Sequence, residues 1–325
     1  MKTYKYLLLT LSACVIIAAS FFLISNKLDS DAKKQKVEVL SFADSVSIPE
    51  YMEFCGKKIS LDRIDMRERY DREINAFTYL HSTTMLLFKR ANRYFPVIEP
   101  ILKKYNIPDD FKYLAVIESN LSPRALSTAK AAGIWQFMPE TGKDYGLEVN
   151  NQVDERYHIE KATVAACKYL SDAYLKYGDW ATVAASYNAG TARISSELNN
   201  QMVNNSFDLL LVEETSRYVF RILAAKELFT NPYKYGFVLR KDDLFPVVRT
   251  LKVEVTSTIP NLAAFAKEYN INYFQLKEFN VWLRDNSLTI PANSAKKYII
   301  DIPVVEDLYY STNKVRVHNR DWIVE

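Results

Sequence analysis

Between Ile107 and Leu121 the apolar and polar positions fall at helical spacing. Phe111, Leu114, Ala115 and Glu118 recur at i, i+3, i+4 and i+7 and share one face. Pro108 suits the first helical position, and Asp109 and Asp110 suit a first turn where the backbone dipole favours carboxylates. Ser122-Pro123 stops the helix just beyond. Glu118 therefore points the same way as the apolar stripe and lies in the last turn. Burial and the negative end of the helix both disfavour its ionised form, so both raise its pKa. A carboxyl so placed is a candidate general acid, or else a glutamate snorkelling at a helix end.

The same spacing predicts further helices. Upstream, Ile74, Phe77, Leu80 and His81 make one stripe, and Ile98, Ile101, Leu102 and Tyr105 another, with Pro96 and Pro100 as punctuation. Downstream, Ala162, Ala165, Ala166, Tyr169, Leu170 and Ala173 form a small-residue stripe in a helix over 158–177 that Gly178 ends. Asp179 reads as the N-cap of the next helix, closed by Asn188-Ala189-Gly190, and 214–229 is another helix with Tyr218, Ile222, Ala225 and Phe229 aligned. From about Val247 the period shifts to two. Leu251, Val253 and Val255 alternate with polar residues, two short helices follow, and Tyr298, Ile300 and Ile302 alternate again. The chain divides accordingly into 60–245, helical; 246–303, a small α+β module; and 304–325, a tail with no assignable element.

The amino terminus has a different pattern. Lys2 and Lys5 precede an uncharged run of nineteen residues, Tyr6 to Ile24, which as a helix spans about 28 Å, close to a bilayer's hydrocarbon core. Residues 1–27 read as an uncleaved anchor, with a long signal peptide as the alternative; Leu11-Ser12-Ala13-Cys14 also fits a lipoprotein signal that would lipidate Cys14. Each reading puts the bulk of the chain outside the cytoplasm, on the periplasmic side, and the anchor and lipoprotein readings attach it to a membrane through this segment. Residues 28–59, opening with the charge-rich Asp29 to Lys36 stretch, read as a tether.

Composition narrows the chemistry. The 325 residues carry 42 basic and 39 acidic side chains, and a formal charge of +3 gives no reason to expect nucleic acid. Three cysteines make no disulfide framework, and three separated histidines make no metal-ligand pair. With 22 Tyr and 17 Phe the chain has rings enough for a core and for stacking sugars. Five of its 7 glycines lie between Gly133 and Gly190, which implies a backbone that turns tightly or approaches a ligand there. In that region Trp135, Gln136 and Met138 are candidates to line a sugar subsite, while Phe137 reads as core.

Three short stretches in order carry a resemblance: Glu118-Ser119, then Gly133-Ile134-Trp135-Gln136-Phe137-Met138-Pro139, then Ser186-Tyr187-Asn188-Ala189-Gly190. With Glu214-Thr215 and Tyr218-Val219 they resemble the lytic transglycosylases that carry the soluble-lytic-transglycosylase catalytic domain. The stretch Ala131 to Pro139 is similar in particular to the membrane-bound lytic murein transglycosylase D branch, and the likeness runs from about Leu61 to Tyr235. The resemblance implies a mainly α fold: a lysozyme-like (goose-type) helical catalytic domain with a glycan groove. It implies Glu118 as a single acid/base catalyst, and Ser119, Gln136, Met138, Tyr187, Asn188 and Tyr218 as substrate-binding or Glu118-orienting residues. The implied reaction cleaves the β-1,4 bond between N-acetylmuramic acid and N-acetylglucosamine in peptidoglycan strands, needs no cofactor or metal, and leaves 1,6-anhydro ends. A hydrolytic muramidase with a second acid (Asp144 and Asp154 are candidates) and a silent wall-binding scaffold are the alternatives. The carboxyl-terminal module resembles a lysin-motif domain, with Asn280 after its second helix; Ser257-Thr258-Ile259-Pro260 stands where a glycine-aspartate turn is usual.

Overall fold

The computed structural model describes residues 45–292 and 294–324. The anchor and the first part of the tether lie outside these residues, and among those described no helix is long and apolar enough to cross a membrane.

Residues 51–60, of which 51–59 are read above as tether, instead form a hairpin. Strand β1 (Tyr51–Phe54) pairs antiparallel with β2 (Lys57–Ser60), Met52 opposite Ile59. Cys55 and Gly56 make the two-residue turn with φ of 52° and 77°, the left-handed pair that matches strand twist. Met52, Phe54 and Ile59 are buried. Strands of four residues offer only two inward positions each, too few for an alternation to stand out in the sequence. The hairpin is fixed to the helices by Asp110, which accepts from Cys55 N (2.6 Å) and Lys226 Nζ (2.8 Å).

Eight helices follow: α1 (Ile64–Tyr79), α2 (His81–Lys104), α3 (Lys112–Ser119), α4 (Pro139–Asp144), α5 (Ile159–Tyr177), α6 (Trp180–Ala189), α7 (Thr191–Asn200) and α8 (Glu213–Thr230). The first stripe predicted upstream is cut at Leu80, where α1 ends and α2 begins, while α2 runs through both Pro96 and Pro100. Asp179 caps α6 by accepting from Thr182 N, and Gly178 ends α5 in the left-handed conformation. Helix α8 is the hub, packing against α1, α3 and α6. Its Tyr218, Phe220, Ile222, Leu223, Ala224, Ala225 and Leu228 are all buried.

The module matches its predicted order: β3 (Thr250–Val255), α9 (Leu262–Glu268), α10 (Tyr273–Phe279) and β4 (Tyr298–Pro303), with Val253 opposite Ile300 in the antiparallel pair. Asn280 is fully buried and satisfied on both ends of its amide, donating to Leu276 O and Asp301 O and accepting from Asp301 N. The module meets the helical body along 152–154. Asp154 N donates to Trp282 O (2.9 Å) and Arg284 N to Gln152 O (2.7 Å), with Val153 bridged to Leu283.

The unassigned tail returns to the helical body. The Trp322 ring packs among Phe88, Phe95 and Phe229, and its Nε1 donates to Phe229 O at 2.9 Å. Asn92, fully buried in α2, donates to Phe245 O and Arg316 O and accepts from His318 N. No periodicity marks these residues because they contribute single anchors.

Candidate active site

Helix α3 is shorter than its pattern suggests. Residues Asp109–Phe111 form a 3-10 turn with Pro108 as its cap, and α3 ends at Ser119 because Asn120 (φ 52°) and Leu121 (φ 55°) turn left-handed. The stripe residues Phe111, Leu114 and Ala115 are fully buried, as is Val116 on another face, so the helix is enclosed along most of its length. Glu118 alone among these is half-buried. Its carboxyl is pushed up from 4.5 to about 7, by burial first; the Tyr218 hydrogen bond and the Arg221 charge pull it back, and Glu214 adds to the rise. At neutral pH such a group is near half protonation.

Tyr218, 1% exposed, donates its hydroxyl to Glu118 Oε1. Burial and the neighbouring Glu118 charge hold that phenol well above its ordinary pKa, so it remains a donor. Arg221 Nη2 donates to Ile117 O at 3.0 Å, anchoring the guanidinium beside the end of α3. Glu214, Tyr218 and Arg221 stand at i, i+4 and i+7 on α8 and share one face. Arg221 and Glu214 were missed as site residues by sequence reasoning, although this spacing from Tyr218 would have found them.

The segment 122–138 lies against α3 and α6. Ser119, buried, donates to Ala115 O (3.1 Å) and Ile134 O (2.9 Å), so its hydroxyl holds this loop to the helix instead of facing a sugar, a correction to the sequence reading. Trp135 is also core: fully buried, with Nε1 donating to Thr163 Oγ1 at 2.8 Å. Tyr187 donates to Trp135 O at 2.8 Å, and its half-buried ring meets Phe137 and Tyr169 edge-on. Gln136, at φ 51°, turns its Nε2 to Gly133 O (2.8 Å) and leaves its carbonyl oxygen unpaired among the described residues. Met138 is 43% exposed and is the N-cap residue of α4. Asn188 accepts from Thr215 Oγ1 at 2.7 Å, leaving its amide nitrogen without a partner among the described residues.

The close approach implied by the glycines is to protein. Gly133, at φ +77°, lies so near Arg156 that a Cβ would stand 1.8 Å from its carbonyl oxygen. Asp154, one of two candidates for a second acid, is occupied by Arg156 at 2.7 Å. A cavity of about 560 Å³ between the helical body and the module is lined by Tyr94, His158, Trp282 and Asp301 among others, and by none of the predicted site residues.

Residues 96–209 match the family described as the transglycosylase SLT domain, and residues 251–306 match the soluble lytic transglycosylase C-terminal LysM-like domain. Membrane-bound lytic murein transglycosylase D of Escherichia coli (strain K12) is 32% identical over 245 residues, which cover 72% of this chain and 52% of that protein. Membrane-bound lytic murein transglycosylase F of Salmonella choleraesuis (strain SC-B67) is 26% identical over 161 residues, 46% of this chain and 29% of that protein. Among solved structures, the 70 kDa soluble lytic transglycosylase from Escherichia coli aligns over 52% of this chain and 30% of its own, with 22% identity and a TM-score of 0.37. The chain thus spans about half the length of the first of these relatives.

Proposed function

The chain carries a transglycosylase SLT domain followed by a LysM-like domain, and from that premise we propose that it is a peptidoglycan lytic transglycosylase with Glu118 as its single acid/base. The observation that carries this reading is Glu118 itself, half-buried at the end of α3, with a pKa of about 7 and a phenol on one oxygen. A carboxyl near half protonation both gives and takes a proton at neutral pH. Protonated Glu118 donates to the oxygen leaving C1 of N-acetylmuramic acid, and the substrate's acetamido carbonyl steadies the oxocarbenium-like centre. Glu118, now ionised, removes the proton of the C6 hydroxyl, which attacks C1 and closes the 1,6-anhydro ring. Two steps with opposite demands select a pKa between them. Tyr218 steadies the ionised state through its hydrogen bond and Arg221 through its charge, while burial favours the protonated one.

Gln136, Met138 and Asn188, whose exposed or unpaired groups are free, and the half-buried Tyr187 are the residues we assign to sugar contact. Tyr218 acts on Glu118 instead. The name of the E. coli relative and the apolar run of residues 6–24 support a membrane-attached enzyme facing the periplasm and remodelling the wall. Palmitate labelling of the wild type against Cys14→Ala tests the lipoprotein form of that attachment. Label retained by Cys14→Ala would exclude it.

Hydrolysis is the second reading: Glu214 shares a face of α8 with Tyr218, the donor to Glu118, and a second acid on that side is what a water-activating mechanism needs. Mass spectrometry of digested sacculi separates the readings. Anhydro-muropeptides are the expected product, reducing ends point to hydrolysis through Glu214, and no release identifies a wall-binding scaffold.

A further inference from the structure

Asp154 and Arg156 are buried, with 7% and 5% of their surface exposed, and neither is among the residues assigned to sugar or proton transfer. Asp154 accepts from Arg156 Nε at 2.9 Å and Nη2 at 2.7 Å. The remaining nitrogen, Nη1, donates to Lys130 O (2.7 Å) and Phe137 O (3.0 Å). Those two carbonyls bracket the loop 130–137. Between them Gly133 seats its bare Cα against Arg156 O, where a Cβ would be 1.8 Å away. Both ends and the middle of the loop therefore take their register from one residue. On its inner side the loop is held by Ser119 to Ile134 O and Tyr187 to Trp135 O. On the outer side the backbone of 152–154 is bonded to Trp282 and Arg284 of the module, and Gln152 reaches Ser287 Oγ (3.1 Å) and Thr289 N (3.2 Å).

A buried ion pair of this kind adds little stability over an apolar plug of equal volume. Its fixed fork does something an apolar plug cannot, serving a carboxylate and two carbonyls at once in one geometry. We propose that Asp154 and Arg156 are a positioning pair: braced on the module, they set the distance between Glu118 and the sugar-facing Gln136 and Met138, so that glycan affinity depends on two residues no sugar touches. This rests on the peptidoglycan reading above.

The test uses the full chain and glycan strands released from sacculi. In a Glu118→Gln background, which binds without cleaving, adding Arg156→Lys is expected to weaken strand binding about tenfold. Amide exchange over 130–138 should rise at least tenfold, while α5 and α8 amides keep their protection. With Glu118 intact, Arg156→Lys is expected to raise KM about tenfold and leave kcat and its pH midpoint unchanged. Lysine keeps the charge but lacks the fork, so a charge-only role predicts full rescue. Wild-type binding and exchange in the lysine variant would overturn the proposal, as would a loss of kcat at constant KM. If Arg156→Lys does not fold, Asp154→Asn gives the same reading, since it loosens the fork from the other side. A chain whose strand binding weakens on Arg156→Lys, yet whose wild type releases no product, defeats the enzymatic reading and leaves the positioning pair standing.

Discussion

Two glutamates lean on adjacent residues of the same helix and meet opposite surroundings. Glu73, on α1, is 1% exposed and receives Arg217 Nε and Nη2 at 2.5 and 3.2 Å. Glu118, on α3, receives the Tyr218 hydroxyl and has its positive charge, Arg221, turned toward Ile117 O. One carboxylate is answered by a forked guanidinium, and the other by a neutral donor. On the function proposed above, a helix that offers arginine to one neighbour and tyrosine to the next makes one contact structural and the other chemical.

The largest expected effect tests the chemical half. Glu118→Gln keeps the shape and removes the proton, and turnover of sacculi should fall by at least about 10³-fold, a loss of about 4 kcal/mol in barrier terms, with unfolding still cooperative. A variant retaining a tenth of wild-type release would erase the distinction between the two glutamates. The structural half is tested by Arg217→Met, which strands Glu73 in an enclosed site. Breaking such a pair costs about 3 kcal/mol, read as a lower urea midpoint, while turnover per folded molecule is kept.

Glu118 also leaves a signature in stability. Its proton is held more tightly in the folded chain (about 7) than at the ordinary value of 4.5. The penalty is therefore absent below about pH 4, grows between the two values and levels off above 7. Glu118→Gln should gain about 3 kcal/mol over wild type at pH 8 and almost nothing near pH 4. Equal differences at both pH values would mean that the carboxyl is not desolvated. Because the first step needs the protonated acid, kcat should fall as pH rises through about 7. Tyr218→Phe removes a bond that favours the ionised form, so this midpoint should move upward and kcat drop about tenfold, the weight of one donor. The smallest effect is Glu214→Gln, which removes a like charge and should lower the midpoint slightly. Abolished product here would instead support hydrolysis.

The helical body was legible because its stripes are long: the faces of α3, α5 and α8 and the Asp179 cap fall where the spacing puts them. The module was legible for a second reason, its switch from period two to helical spacing and back. The hairpin was not, since Met52, Phe54 and Ile59 are too few to make a pattern. At the site, Glu118 and Tyr218 were found through helix faces and short motifs, but residue type could not tell donors facing ligand from donors facing protein. Ser119 and Trp135 both turned out to serve the loop. Asp154 reads in sequence only as a candidate second acid and Arg156 carries no signal, and only the groups they meet explain why they are buried.

Trp322 lies between rings supplied by residues 88, 95 and 229, which makes the module an insertion within the helical body and not an appendage to it. That body is incomplete until Trp322 is in place, so a chain cut before this residue presents a gap lined with phenylalanine.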